Sequence, residues 1–115
     1  MINRRQPHVM VLPEDDADRE LANGFLLALD QSALTRIQVL PEAGGWMAVL
    51  DTFETDHVAK MDRFNERYMV LLIDFDGNAG RINYVKNRIP DRLRDRVFVL
   101  GALTNPEALR KALGP

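Results

Sequence analysis

One α/β domain of three layers, with about four mostly parallel strands and helices on both faces, is what the order of apolar segments implies. Two observations carry this expectation. Short apolar runs alternate with stretches of helical spacing along the whole chain, and strand–helix alternation is the signature of a parallel sheet covered by helices. The length of 115 residues, without a repeat or linker, suits a single domain, residues 1–115. A chain of this length buries roughly two thirds of its unfolded surface, enough for one core.

The elements follow in order. His8 to Leu12 is an apolar run closed by Pro13, a short buried strand. Asp15 or Asp16 can cap the next helix, which sets Leu21, Phe25, Leu26 and Leu29 on one face. Ile37 to Leu40 is a second strand, and Gly44 and Gly45 break the chain after it. A helix then carries Trp46, Val49, Leu50 and Phe53. It either continues or restarts near Thr55, through Val58, Met61 and Phe64. Tyr68 to Ile73 is continuously apolar, as a central strand with both faces covered should be. Asp74 to Asn78 has the composition of a turn. Weak helical spacing at Ile82 and Val85 is interrupted by Pro90. Val97 to Leu100 is a fourth strand, and a last helix starts at Pro106 with Leu109 and Leu113 inside.

Composition excludes several classes. A hydrophobic fraction of 46% with 28% charged residues is that of a soluble globular protein. The absence of cysteine removes disulfides, thiolate metal sites and a cysteine nucleophile. No apolar run has the length of a membrane span or a secretion signal, so the expected location is cytoplasmic, away from membranes. The net charge of −2 points to no partner, but its distribution is uneven. Residues 14–20 read EDDADRE, whereas residues 81–96 carry Arg81, Lys86, Arg88, Arg92, Arg94 and Arg96 against Asp91 and Asp95. Two solvated, internally paired helix faces would give that pattern. So would a metal site beside a phosphate-binding surface.

Ligands of parallel sheets bind beyond the carboxyl ends of the strands. Glu14 stands after the first strand, with Asp15, Asp16 and Asp18 behind it, and Asp74 and Asp76 stand after the third. Single aspartates here would serve as helix caps or turn formers. Several converging carboxylates repel one another unless a cation or a proton offsets the charge. Oxygen donors without cysteine favour Mg²⁺ or Mn²⁺ over zinc. His8 and His57 lie far apart in sequence, are compatible with surface positions and suggest no catalytic pair. Trp46 is expected in the core. No G-x-G-x-x-G pattern follows the first strand, so a dinucleotide fold of that kind is not indicated.

Residues 9–14 (VMVLPE) and 71–77 (LLIDFDG) together resemble the two motifs of the Toprim domain, the metal-binding module of topoisomerases, bacterial primases and OLD-type nucleases. The resemblance covers nearly the whole chain. It implies a small stand-alone, nuclease-like protein with metal-dependent phosphodiester chemistry on nucleic acid. In that reading Glu14 is the general acid or base and a metal ligand, and Asp74 and Asp76 hold Mg²⁺ or Mn²⁺. Arg81, Lys86 and Arg88 would neutralise the DNA or RNA backbone. A protein partner could supply specificity. Many Toprim domains have glycine after the glutamate, where this chain has Asp15.

Residues 11–18 (VLPEDDAD) and 97–104 (VFVLGALT) also resemble a response-regulator receiver domain. That resemblance implies Asp15 and Asp16 on Mg²⁺ and Asp74 as phosphoryl acceptor, although Thr104 lies too far past its strand. A receiver also needs a fifth strand followed by a lysine, which this sequence lacks. A third possibility is a non-catalytic Rossmann-like partner-binding module, which an exposed apolar surface along Trp46 to Phe64 would favour.

Overall fold

The computed structural model describes residues 6–74 and 79–101. Strands β1 (His8–Pro13), β2 (Ile37–Val39), β3 (Arg67–Leu72) and β4 (Val97–Leu100) form one sheet in the order β2-β1-β3-β4. All three pairings are parallel. The central pair runs in register from His8 opposite Arg67 to Pro13 opposite Leu72. These two strands are flanked on both sides, which explains why their sequences are apolar without alternation. The expected α/β architecture is therefore the observed one. From β1 the chain steps outward to β2, then returns to place β3 on the opposite side of β1. The reversal opens a crevice at the carboxyl ends of β1 and β3, the place where open parallel sheets bind ligands.

Alternate side chains of each strand point to opposite faces. Met10, Leu12, Met69, Leu71 and Val97 face one layer, formed by α3 (Trp46–Thr52), a π-helical turn (Phe53–His57), α4 (Val58–Arg63) and α5 (Ala79–Asn87). Val49, Leu50, Phe53, Met61 and Val85 of that layer are buried against them, joined by Leu93 from the 3₁₀ turn Asp91–Arg96 that leads into β4. Val11, Val70 and Leu72 face the other side, where Ala22 of α1 (Asp16–Leu26) packs on them. A fully buried side chain of this kind contributes about 1.5–3 kcal/mol by leaving water.

The helix after Gly45 neither stops nor restarts at Thr55. It passes from α3 to α4 through the π turn, with helical backbone at both junctions. Most large apolar side chains of this segment point inward, Met47 being 38% exposed. The apolar surface that would favour a partner-binding module is thus largely absent there.

Two helices differ from expectation. In α1 the buried residues are Asp18 and Ala22, one turn apart, and of the expected apolar face Leu21 is partly buried against the same cluster as Ala22. Leu29 lies beyond the helix end, and Leu27 is 88% exposed. The small Ala22 lets α1 approach closely, a contact that a search for large apolar residues overlooks. A short helix, α2 (Gln31–Leu34), was not anticipated; it is held by Asp30, whose Oδ1 accepts from the Ala33 N–H at 2.9 Å and the Ser32 hydroxyl at 2.8 Å. The predicted last helix from Pro106, with Leu109, Leu113 and Thr104, lies outside the described residues.

Neither histidine is on the surface. His8 is 1% and His57 7% exposed. The Nε–H of Arg67 donates to His8 Nε2 at 3.1 Å, so the other ring nitrogen carries the proton and donates to the Gln6 carbonyl at 2.9 Å. His8 therefore joins the amino-terminal ends of β1 and β3. Burial, with the Lys60 and Arg67 charges nearby, pushes the His57 pKa below its usual 6.5, although Asp56 opposes this. A depressed histidine pKa adds stability that is complete above pH 6.5 and is lost as pH falls toward the folded-state value. The unfolding free energy from urea titrations should therefore drop on acidification below pH 6.5 by up to about 1.4 kcal/mol per pH unit, and His57→Gln should flatten that step.

Candidate functional site at the carboxyl ends of the central strands

β1 ends in Pro13, and Glu14 follows it. Two hydrogen bonds fix this residue across the crevice. Its N–H donates to the Leu72 carbonyl at 2.8 Å, and its side-chain Oε1 accepts from the Asp74 N–H at 3.0 Å. The carboxylate that ends one motif thus holds the backbone of the other motif. The Glu14 carbonyl in turn accepts from Gly44 N–H at 2.8 Å and Gly45 N–H at 3.2 Å. Both glycines have positive φ, 97° and 140°, which side-chain-bearing residues adopt only with strain. The double glycine therefore folds the loop after β2 over the end of β1 and starts α3 beside the crevice.

Asp15 is the N-cap of α1, its Oδ1 accepting from the Asp18 N–H at 2.9 Å. Asp16 is exposed. Asp18 has no exposed surface, and its carboxyl shares a hydrogen bond with that of Asp15, one of the causes that hold a proton on it. Burial raises its pKa to about 7, and the charges of Asp15, Glu14 and Asp74 push in the same direction. Burial also raises the Glu14 pKa, aided by Asp15 and Asp74, while the Asp74 N–H and the Arg81 charge pull it down. Four carboxylates thus feel one another at this point.

Arg81 of α5 closes one side. Its Nη1 donates to the Asp74 carbonyl at 2.7 Å, and its guanidinium lies over the Trp46 ring, 4.8 Å from the centroid. A line of alternating rings and cations leads away from there. Trp46 meets Tyr84 edge to face at 5.6 Å, and Arg88 lies 5.6 Å over Tyr84 while donating to its hydroxyl at 2.8 Å. Arg88 also pairs with Glu54 at 2.8 Å. Trp46 is therefore only partly buried and belongs to the rim as well as to the core.

The residues expected at the site are thus partly united. Glu14, Asp74 and Arg81 meet at the crevice, and Arg88 lies along the line from it. Lys86 lines a separate pocket of about 170 Å³ with Ile89, Arg94, Val97 and Val99. Asp76 lies outside the described residues. Three other arginines of the basic stretch have structural partners. Arg92 forms a two-bonded pair with Asp62, Arg94 pairs with Asp91, and Arg96 donates to the Met61, Phe64, Asn65 and Arg67 carbonyls.

The side chains gathered at the crevice offer oxygen donors alone, the kind a hard divalent cation takes. Mutual repulsion among such carboxylates is what a proton or a cation such as Mg²⁺ or Mn²⁺ would relieve. Among the described residues no three carboxylates or imidazoles already surround one point, so a cation would have to draw them together. Among the described residues no helix is long and apolar enough to cross a membrane. Comparison of the chain with family models, curated proteins and solved structures finds no match.

Proposed function

We propose that the chain carries out divalent-metal-dependent phosphodiester chemistry on nucleic acid, in the manner of a small Toprim nuclease. The observation that carries this reading is the bond from the Asp74 N–H to the Glu14 carboxylate, which joins the ends of the two predicted motifs at the strand-order reversal. Asp74 and Glu14 would hold Mg²⁺ or Mn²⁺, with Asp76 as the further expected ligand. The ion, once bound, polarises a phosphoryl oxygen and activates water. Glu14, its affinity for a proton increased by burial, is suited to take or return a proton at the reacting oxygen. Arg81, held by the Asp74 carbonyl and Trp46, is placed to offset phosphate charge. Arg88 shares its charge with Glu54 and would contribute less, and Lys86 would act from the other side of α5.

Calorimetric titration of Mg²⁺ and Mn²⁺ tests the reading. The native chain is expected to bind, and Asp74→Ala/Asp76→Ala to lose binding together with any cleavage of single- or double-stranded substrates. The alanine at 74 keeps the N–H that Glu14 accepts, so the sheet ends stay joined. No binding at millimolar metal by the native chain would remove the reading.

A second reading draws on the same neighbours. Glu14 feels the charges of both Asp15 and Asp74, the acidic neighbours that a receiver-like phosphoryl-acceptor pocket would need. An acid-labile phosphate on Asp74 after incubation with a small phosphodonor, unaffected by Asp76→Ala, would favour it. Asp15 already spends one oxygen as a helix cap and Asp16 points to solvent, so the pair expected to hold Mg²⁺ in that reading is poorly disposed.

A further inference from the structure

We infer that the rim beside the crevice stacks the unpaired bases of a single nucleic-acid strand, with the Tyr84 ring as the platform. The inference rests on the nucleic-acid reading above and deepens it by naming the form of the substrate. Arg81 and Tyr84 in α5 and Arg88 just past its end follow one another at three and four residues, so they share one face. The neighbouring Val85 turns into the core instead and has no exposed surface. Trp46 reaches the same face from the first turn of α3. Two cations therefore bracket two rings. Arg81 lies 4.8 Å over Trp46, Trp46 meets Tyr84 edge to face at 5.6 Å, and Arg88 lies 5.6 Å over Tyr84.

The large area of an aromatic ring stabilises a fold most when it is buried. Tyr84 instead remains 42% exposed, and Met47, next to Trp46 in the chain, remains 38% exposed. The Tyr84 ring is nevertheless fixed, by the Trp46 contact and by the bond from Arg88 to its hydroxyl at 2.8 Å. A ring already fixed loses little rotamer freedom when a base stacks on it. The face begins at the crevice, since Arg81 also donates to the Asp74 carbonyl at 2.7 Å. Seven residues of helix rise about 10 Å, the length of about three nucleotides at about 3.4 Å each. Bases within a duplex have their faces covered by their neighbours, so only an unpaired strand can offer one to Tyr84. The guanidinium groups match the phosphates of that strand. Arg81 contributes more than Arg88, whose charge Glu54 shares at 2.8 Å.

Trp46 is the one tryptophan of the chain and touches Tyr84, so its fluorescence reports what stacks there. The full chain is titrated, without divalent cation, with a thymidine octamer, a uridine octamer, an abasic octamer of the same charge and a hairpin duplex. The thymidine or the uridine strand is expected to quench Trp46, the tighter of the two naming the sugar. The abasic strand and the duplex should bind about tenfold or more weakly, because neither offers a base to stack. Tyr84→Leu should lose about tenfold in affinity for the octamer, whereas Tyr84→Phe, which keeps the ring, should stay near the native value. A cooperative thermal melt shows that Tyr84→Leu is folded. Equal binding of the duplex or the abasic strand, native-like affinity in Tyr84→Leu, or no binding by the native chain would overturn the inference. The metal titration fails or succeeds separately. Mg²⁺ binding without preference for the unpaired strand overturns this inference and leaves the metal site standing, and strand preference without Mg²⁺ binding does the reverse.

Discussion

Without divalent cation and at mildly alkaline pH, Asp18→Asn is expected to be more stable than the native chain, a reversal of the usual sign for a buried substitution. The Asp18 pKa is raised from 3.8 to about 7 by burial and by three neighbouring carboxylates. A raised pKa means that the folded chain holds a proton the unfolded chain releases. The stabilising contribution of that proton is complete below pH 3.8 and is lost as pH rises through about 7. Each pKa unit is worth about 1.4 kcal/mol, so an ionised Asp18 costs the metal-free fold on the order of 4 kcal/mol above pH 7. The amide carries no charge at any pH and should recover about half of this, the remainder being the cost of keeping a polar group buried. Urea unfolding across the neutral range checks this. The native chain should lose stability with rising pH, the variant should not, and the two curves should converge on the acid side. Parallel curves would mean that Asp18 is solvated.

Phe53→Ala is expected to have the largest effect on folding, a loss of about 3–5 kcal/mol in equilibrium unfolding. Phe53 has no exposed surface and sits among the core residues of the layer that covers β1 and β3. It also opens the π turn. A loss below about 1 kcal/mol would show that the surrounding side chains collapse into the space.

The parallel sheet was legible because β1 and β3 carry their information locally. Past His8 and Arg67 at their starts, each holds a short unbroken apolar run, Val9 to Leu12 and Met69 to Ile73, ended by proline or aspartate and too short for a buried helix. Glu14 and Asp74 were legible for the same reason, as the first acids past those runs. Asp18 was visible only as one more charge in an acidic stretch, because its burial comes from how α1 lies on the sheet. Ala22, which permits that approach, has no large apolar signal. His8 and His57 read only as compatible with the surface, and the burial of His8 was hidden because the carbonyl and guanidinium that satisfy it come from Gln6 and Arg67, the latter far along the chain. Lys86 was grouped with Arg81 and Arg88 by sequence proximity, yet five residues of α-helix turn a side chain well away from its starting direction.

The π turn records a length mismatch that the helix has absorbed. Phe53 and Met61 are both fully buried in the same cluster although eight positions separate them. At about 100° per residue, eight steps overshoot two full turns by about 80°, whereas seven fall short by only about 20°. The stretch from Phe53 to Met61 therefore contains one residue more than an uninterrupted α-helix would need to present both to the sheet, and the wide turn takes up the surplus. A chain shortened by one exposed position there would keep both ends aligned and run as an ordinary α-helix. This segment is thus the place where the domain can change its number of residues without changing its core.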